Sequence, residues 1–272
     1  MSPGPRTLPG VGDVRVATWN LLHGRSLANG QVEEGALRAG VGMLDADVIA
    51  LQEIDRHQQR SENLDQTSVV SDAAGATWSR FVPTVWGEPG ARWQPVSSGD
   101  DDDGERAAYG IGLVSRLPVL ESDVLRFEPA PVKMPLLVPG QGLVTVADEP
   151  RVAIAALVDG PAGPFTVLAT HLSFVPGYNV RQLRELVAWA ACKPAPRLLL
   201  GDLNLPGRLP GWTTRWAQLA RVATYPSWRP RVQFDHVLAD GISTAQVSAI
   251  ESRRLPVSDH NAVSLTLHLG DR

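Results

Sequence analysis

Cysteine is nearly missing from this chain: Cys192 stands alone among 272 residues, so no intramolecular disulfide can form. It continues a helical pattern, and a buried structural thiol is expected there rather than a nucleophile. Lysine is almost as scarce, since of the 25 basic residues only Lys133 and Lys193 are lysines. We read this as a coding bias towards arginine. With a net charge of −4, the composition gives no sign of tight nonspecific attraction to nucleic acid. No apolar run approaches the roughly eighteen residues of a membrane span. Residues 1–12 are rich in Pro and Gly and lack the apolar centre of a signal peptide. A soluble, cytoplasmic protein with no stable membrane association is therefore expected. There is no internal repeat and no Gly-x-Ser-x-Gly elbow, which argues against a serine hydrolase built on Ser258 and His260.

What is present is a globular composition, 43% hydrophobic and 20% charged, long enough for one large α/β domain. We expect a flexible segment over residues 1–12 and a single domain over 13–272, acting as a monomer. Periodicity predicts strands at residues 14–19, 48–51, 78–85, 109–115, 119–127, 136–146, 152–158, 165–169, 197–200, 234–238, 245–250 and 262–267. Helices are predicted over 32–44, 62–74, 181–191 and 212–220, the first with Leu37, Val41 and Leu44 on one face. Strands outnumber helices, and several are neighbours in sequence. That favours mixed or antiparallel sheets over a plain doubly wound one.

The most informative stretch is Arg197-Leu198-Leu199-Leu200-Gly201-Asp202-Leu203-Asn204. An apolar strand delivers a carboxylate and a carboxamide at its polar end, and residues i and i+2 of an extended segment share a face. Oxygen ligands so placed suit Mg²⁺, which keeps several positions for water and phosphate. A strand followed by an Asx-type turn explains the same residues. The company they keep decides between the two.

Four further polar motifs end or abut apolar segments: Trp19-Asn20, Gln52-Glu53, Thr170-His171-Leu172 and Ser258-Asp259-His260. In this order, with Tyr109-Gly110 to Ser115-Arg116 and Phe234-Asp235 also in place, the chain resembles the endonuclease/exonuclease/phosphatase superfamily over residues 14–267. That group includes DNase I-like nucleases, abasic-site endonucleases, neutral sphingomyelinases and inositol polyphosphate 5-phosphatases. The resemblance implies an α/β (α+β) four-layer sandwich of two mixed, largely antiparallel sheets flanked by helices. It also implies a phosphoesterase using Mg²⁺ or Mn²⁺, with a phosphate ester, most plausibly nucleic acid, as substrate.

By the same resemblance Glu53, Asn20 and Asp259 lie at the metal, while Asp202 and Asn204 position the attacking water and the phosphoryl group. His260 and His171 contact the phosphate, Asp235 orients His260, and Arg151 and Tyr109 match phosphate- or substrate-binding positions. Where some members carry an aspartate two residues after the first asparagine, this chain has Leu22, followed by His23. His236 replaces an aromatic residue and is expected to be either packed or a further active-site histidine. Independent chemistry agrees, because phosphodiester hydrolysis needs an activated water and neutralisation of charge at phosphorus. We favour Asp202 as the base, and a carboxylate at Asp235 would hold His260 as the imidazolium.

Residues 86–105 read as an exposed loop, and its acidic run 100–105 lacks calcium-loop spacing. From 206 to 231 there are five arginines, no acid, and Trp212, Trp216, Tyr225 and Trp228 interleaved. This mixture suits stacking on bases and tracking of a phosphate backbone, although an amphipathic helix in an arginine-rich sequence would look similar. The loops expected to admit substrate are 86–105, 133–141 and 206–229. Hydrolysis of a phospholipid headgroup or a small phosphate ester is the alternative activity, and a non-catalytic binding module is a third reading.

Overall fold

The computed structural model describes residues 12–97, 99–100, 102–138 and 142–270. The segment expected to be flexible, residues 1–12, lies outside them except for Gly12. In chain order the elements are β1 (Asp13–Asn20), α1 (Glu34–Leu44), β2 (Val48–Arg56), α2 (Gln66–Ala74), β3 (Trp78–Gly87), β4 (Trp93–Pro95), β5 (Ala108–Ser115), β6 (Val119–Phe127), β7 (Lys133–Val138), β8 (Gly142–Ala147), β9 (Arg151–Gly160) and β10 (Gly163–His171). They continue with α3 (Tyr178–Ala190), β11 (Arg197–Asp202), α4 (Leu209–Thr214), β12 (Ala217–Gln218), β13 (Asp235–Asp240), β14 (Val247–Arg253) and β15 (Ala262–His268).

Alternation along the strands builds the layers. Val14 and Val16 of β1 and Leu198 and Leu200 of β11 point into one shared core between two sheets. Their neighbours point the other way: Ala17 and Trp19 pack on α1, and Leu199 packs on Leu183 and Leu186 of α3. A seven-stranded sheet ordered β14-β15-β1-β2-β5-β3-β4 thus faces a six-stranded sheet ordered β12-β13-β11-β10-β9-β6. Helices cover both outer faces, which is the four-layer sandwich. Among the described residues only β1–β2 and β10–β11 pair in parallel, and the other ladders are antiparallel.

Helix α1 buries Leu37, Gly40, Val41 and Leu44 along one stripe. It lies so close to β1 that a Cβ on Gly40 would stand 2.5 Å from the Trp19 ring. Helix α2 starts at Gln66 rather than at 62 because Glu62 and Asn63 take positive φ, and Asp65 then caps the helix by accepting from Ser68 N.

Several expectations are corrected. The helix expected over 212–220 ends at Thr214, since Arg215 turns left-handed and Ala217–Gln218 joins the sheet beside β13. The single strand expected over 136–146 is the hairpin β7–β8. Cys192 is exposed, because α3 has ended before the chain reaches it. The loop 86–105 contains β4, and Trp86 is buried with Arg106 stacked on its ring. No helix among the described residues is long and apolar enough to cross a membrane.

Candidate active site

Three strand-end residues form one row. His171 of β10 pairs with Asp202 of β11, and Asp202 pairs in turn with Asp235 of β13. Gly201, just before the row, permits this spacing, because a Cβ there would lie 2.1 Å from Thr170 O. All three side chains fall on the inner-face parity of their strands, aimed at the facing sheet. That sheet answers with Asn20, at the end of β1 and on the same parity as Val14 and Val16. Its amide donates to Asp202 Oδ2 at 3.1 Å, so one hydrogen bond joins the two sheets at the site.

Glu53 reaches the same point by a device that alternation does not predict. The β2–β5 register slips between Leu51 and Ile54, and Glu53 takes φ 53°. This bulge inserts a residue and reverses the parity. Gln52 keeps the inner face, bonding Thr18, whereas Glu53 is turned to accept from Asn20 Nδ2 at 2.9 Å. Asn20 therefore holds Glu53 and Asp202 together through one amide nitrogen, while its oxygen accepts from Leu22 N.

The Asx-type turn, one of the two alternatives for Asp202 and Asn204, is present. Asp202 Oδ1 accepts from Asn204 N at 2.9 Å, with Asn204 at φ 50°, which is the Asx-type turn. Its other oxygen, Oδ2, faces Asn20, His171 Nε2 at 3.8 Å and His260 Nδ1 at 3.8 Å. The turn fixes one oxygen so that the other is aimed. Asn204 Nδ2 donates to Leu172 O and lies 3.3 Å from His171 Nε2.

His260 arrives on the segment between β14 and β15. Ser258 anchors that segment: its hydroxyl donates to Asn20 O and accepts from His260 N. Ser258 is thus a tether rather than a nucleophile. His260 Nδ1 bonds Asp235 Oδ2 at 2.8 Å, as expected for an orienting carboxylate. Burial opposes a charged imidazole here, but Asp235, then Asp202 and Asp259, outweigh it and hold the pKa at about 10. His171 goes the other way. Burial, then the Arg151 guanidinium, then His260 push it well below the ordinary value, so it is neutral.

The carboxyls at this point are short of cations. Burial raises Glu53, with Asp202 and Glu149 adding to the rise against Asn20 and His260. Burial also raises Asp202, with Asp235 adding to it. Asp259 is lifted to about 6, first by burial and then, against His260, by Glu53. Crowded carboxylates held above their ordinary range, with hard oxygens and a buried Asp235 Oδ1 lacking a partner, fit a divalent cation. Among the described residues one group of three, Asp202, Asp235 and His260, comes within 4.8 Å of one another in a way that could hold an ion. Asp235 and His260 already bond each other, and Glu53 and Asp259 add two further carboxyls that burial holds above their ordinary range.

Tyr109 lies buried on β5, its ring 5.7 Å from the Arg60 guanidinium, and burial followed by Glu53 and Glu149 raises its hydroxyl well above the ordinary value. Arg151 is buried behind His171, with Nη1 3.0 Å from Nδ1. His236 is fully buried, bonds Leu205 O, and is held at about 4 by burial. It is packed and takes no part. Tyr225 was expected only as one of several interleaved aromatics. Its ring in fact lies tilted against that of His260, centroids 4.9 Å apart, and burial, then Asp259 and Glu53, raise its hydroxyl. Ten residues separate it from Asp235, the start of β13, and no local pattern places its ring.

A site that gathers an imidazolium, a neutral ring N–H and hard oxygen ligands around one point, on a sandwich of two sheets, is built for a phosphoryl group. The model of the Endonuclease/Exonuclease/phosphatase family matches residues 17–260, and the chain belongs to that family. It is accordingly a phosphoesterase of that superfamily. A comparison with the curated proteins gave no match. Among solved structures, the endonuclease/exonuclease/phosphatase from Beutenbergia cavernae DSM 12333 is 22% identical, over 95% of this chain and 72% of that one, with a TM-score of 0.62. The mannosyl-6-phosphatase from Bacteroides thetaiotaomicron VPI-5482 is 16% identical over 93% of this chain and 98% of its own, at a TM-score of 0.57. Sphingomyelinase C from Streptomyces griseocarneus is 14% identical, covering 94% and 99%, at 0.56. At these identities the likeness shows the shared fold.

Proposed function

We propose that this chain is a divalent-metal-dependent phosphodiesterase that cleaves nucleic acid. Glu53 and Asp259 would hold Mg²⁺ or Mn²⁺, which supplies Lewis-acid neutralisation of the phosphoryl oxygens, while Asn20, its oxygen taken by Leu22 N, holds Glu53 in place through its amide N–H. Asp202 Oδ2, raised by burial and ringed by N–H donors, aligns the attacking water and takes its proton. His260, kept charged by Asp235, faces the negative charge that grows on phosphorus, and Asn204 and His171 flank it.

The observation that favours nucleic acid is the rim beside this centre. β11 and β13 are antiparallel, with Asp202 opposite Asp235, so the loops after Asp202 and before Asp235 leave the sheet at the same end. At that end they carry exposed Arg208, Arg221, Arg229 and Arg231 with no acidic residue, whereas Arg215 lies at the far end, just before Ala217 pairs with Ala239. Trp212 is 70% exposed and Trp228 is 53% exposed. The Trp228 loop is bonded to the catalytic segment, Ser227 N donating to Asp259 O and Ser227 Oγ to Ser258 O. Exposed tryptophans among arginines suit stacking on bases and contact with a phosphate backbone. Trp216 and Tyr225, expected in the same set, are instead used in packing.

The test is a substrate panel with Mg²⁺ or Mn²⁺: single- and double-stranded DNA, abasic-site DNA, RNA, sphingomyelin, inositol phosphates and mannose 6-phosphate. Turnover of a nucleic acid that stops in EDTA and falls steeply with salt is expected. The likeness to a mannosyl-6-phosphatase keeps a sugar phosphate in the panel. Turnover of lipid or sugar phosphate alone would remove the nuclease reading.

A further inference from the structure

Arg151 has no part in the chemistry above, yet it is one of the most completely enclosed cations in the chain, its side chain 5% exposed. Its Nη1 stands 3.0 Å from His171 Nδ1. A guanidinium only donates, so Nδ1 must be the acceptor and the neutral ring must carry its proton on Nε2. That nitrogen is the one facing the reaction centre, 3.8 Å from Asp202 Oδ2. Asn204 Nδ2, 3.3 Å from it, donates to Leu172 O.

The guanidinium is itself held. Nη2 lies 3.8 Å from Glu149 and 3.9 Å from Asp148. Asp148 is pinned by Ala130 N and the Ser173 hydroxyl, both at 2.8 Å, and Ser173 N is pinned by Gln182 Oε1 of α3. Arg151 Nε is buried without any partner, so that edge of the guanidinium has no opening to a substrate.

We propose that Arg151 is a positioning residue that locks His171 in the Nε2–H tautomer, making His171 a permanent hydrogen-bond donor to the scissile phosphate and never a proton acceptor. The phosphate in that statement rests on the proposed phosphodiesterase activity, whereas the tautomer does not. Two histidines at one centre thereby acquire different work from different partners. A carboxylate behind His260 makes it a cation, and a guanidinium behind His171 makes it a neutral donor. Direct contact between Arg151 and phosphate, the role its position in the sequence implies, is replaced by action through the ring.

The test uses the full chain labelled with ¹⁵N-histidine. Ring-nitrogen NMR of the wild type is expected to show His171 as the Nε2–H tautomer between pH 5 and 9, on the order of the usual titration range of imidazole. In Arg151→Met the Nδ1 acceptor loses its donor, and the tautomer is expected to become mixed. Arg151→Lys keeps a donor of similar length and should restore the wild-type spectrum. With bis-p-nitrophenyl phosphate, Arg151→Met should lower kcat by about 10- to 100-fold with little change in KM, and Arg151→Lys should recover most of it. A wild-type Nδ1–H tautomer overturns the proposal, and so does a spectrum unchanged in Arg151→Met. A rise in KM common to both variants would return Arg151 to direct phosphate binding. An inactive wild type with the expected spectrum would count against the phosphodiesterase reading alone.

Discussion

At the scale of single residues, the site works by giving chemically equal groups unequal surroundings. Asp235 and Asp202 are paired across adjacent strands, a destabilising arrangement for two anions, and His260 between them compensates. In Asp235→Asn that compensation is lost. The folded pKa of His260, about 10 against an ordinary 6.5, should fall. A group raised in the folded state stabilises the protein fully below its unfolded pKa and loses that contribution as pH rises through the folded one. The His260 contribution is therefore present below about 6.5 and gone above about 10. In the variant both this stability and the alkaline limb of the rate profile should shift to lower pH, with kcat down by about 10²- to 10⁴-fold. A pH–rate profile of both proteins checks it, and an unmoved alkaline limb would remove His260 as the required cation. Asp202→Asn separates function from folding. Burial and Asp235 already raise this carboxyl, so removing its charge should abolish turnover without lowering the melting temperature of the metal-free protein, as calorimetry would show.

At the scale of elements, close approach decides which substitutions are tolerated. Gly40 and Gly42 lie in the same helix, α1, but only Gly40 falls on the stripe of Leu37, Val41 and Leu44. A Cβ at Gly42 meets nothing within 4 Å, whereas one at Gly40 enters the Trp19 ring. Gly42→Ala should stabilise the fold by about 0.5–1 kcal/mol through helix propensity. Gly40→Ala should destabilise it by about 1–3 kcal/mol through overpacking. Urea unfolding of the two variants measures both, and equal signs would contradict the packing of α1 on β1. The β2 bulge belongs to this scale as well. Period-two patterning identified the strand through Leu51 and placed Glu53 at its end. It could not say which face Glu53 takes, because that depends on one left-handed residue inside the ladder.

At the scale of the whole molecule, the site concentrates negative charge between two sheets, and a bound cation should repay it. Asp259 is raised to about 6 from 3.8, so its ionisation costs the folded state stability as pH rises through that window. A divalent ion bound to the folded protein adds RT ln(1 + [L]/Kd), about 2.7 kcal/mol at a hundredfold excess over Kd. The rise in melting temperature on adding Mn²⁺ or Mg²⁺ should be small at acid pH, large above pH ~7, and reversed by EDTA. A shift that is the same at both pH values would separate ion binding from these carboxyls.

By itself the sequence determined most of the strands and the order of the polar motifs, because alternation, turn residues and strand-end chemistry act over a few neighbours; the four-layer sandwich followed from the family resemblance those ordered motifs carry, and β4, β12 and the β7–β8 hairpin were not read. It named Asp202, Asp235, His260, Glu53, Asn20 and His171, whose types and order are local facts. It missed the early end of α4, the exposure of Cys192 and the ring of Tyr225 on His260. Only the tertiary structure decided which oxygen of Asp202 is aimed and which is tied, and which way Glu53 turns. It also decided that Arg151 stands behind His171. Those outcomes rest on contacts such as Asn20 to Asp202, 182 residues apart, and Ser258 to Asn20, 238 apart. Hydrogen-bond direction and burial at such a junction exist only once both sheets have closed on it.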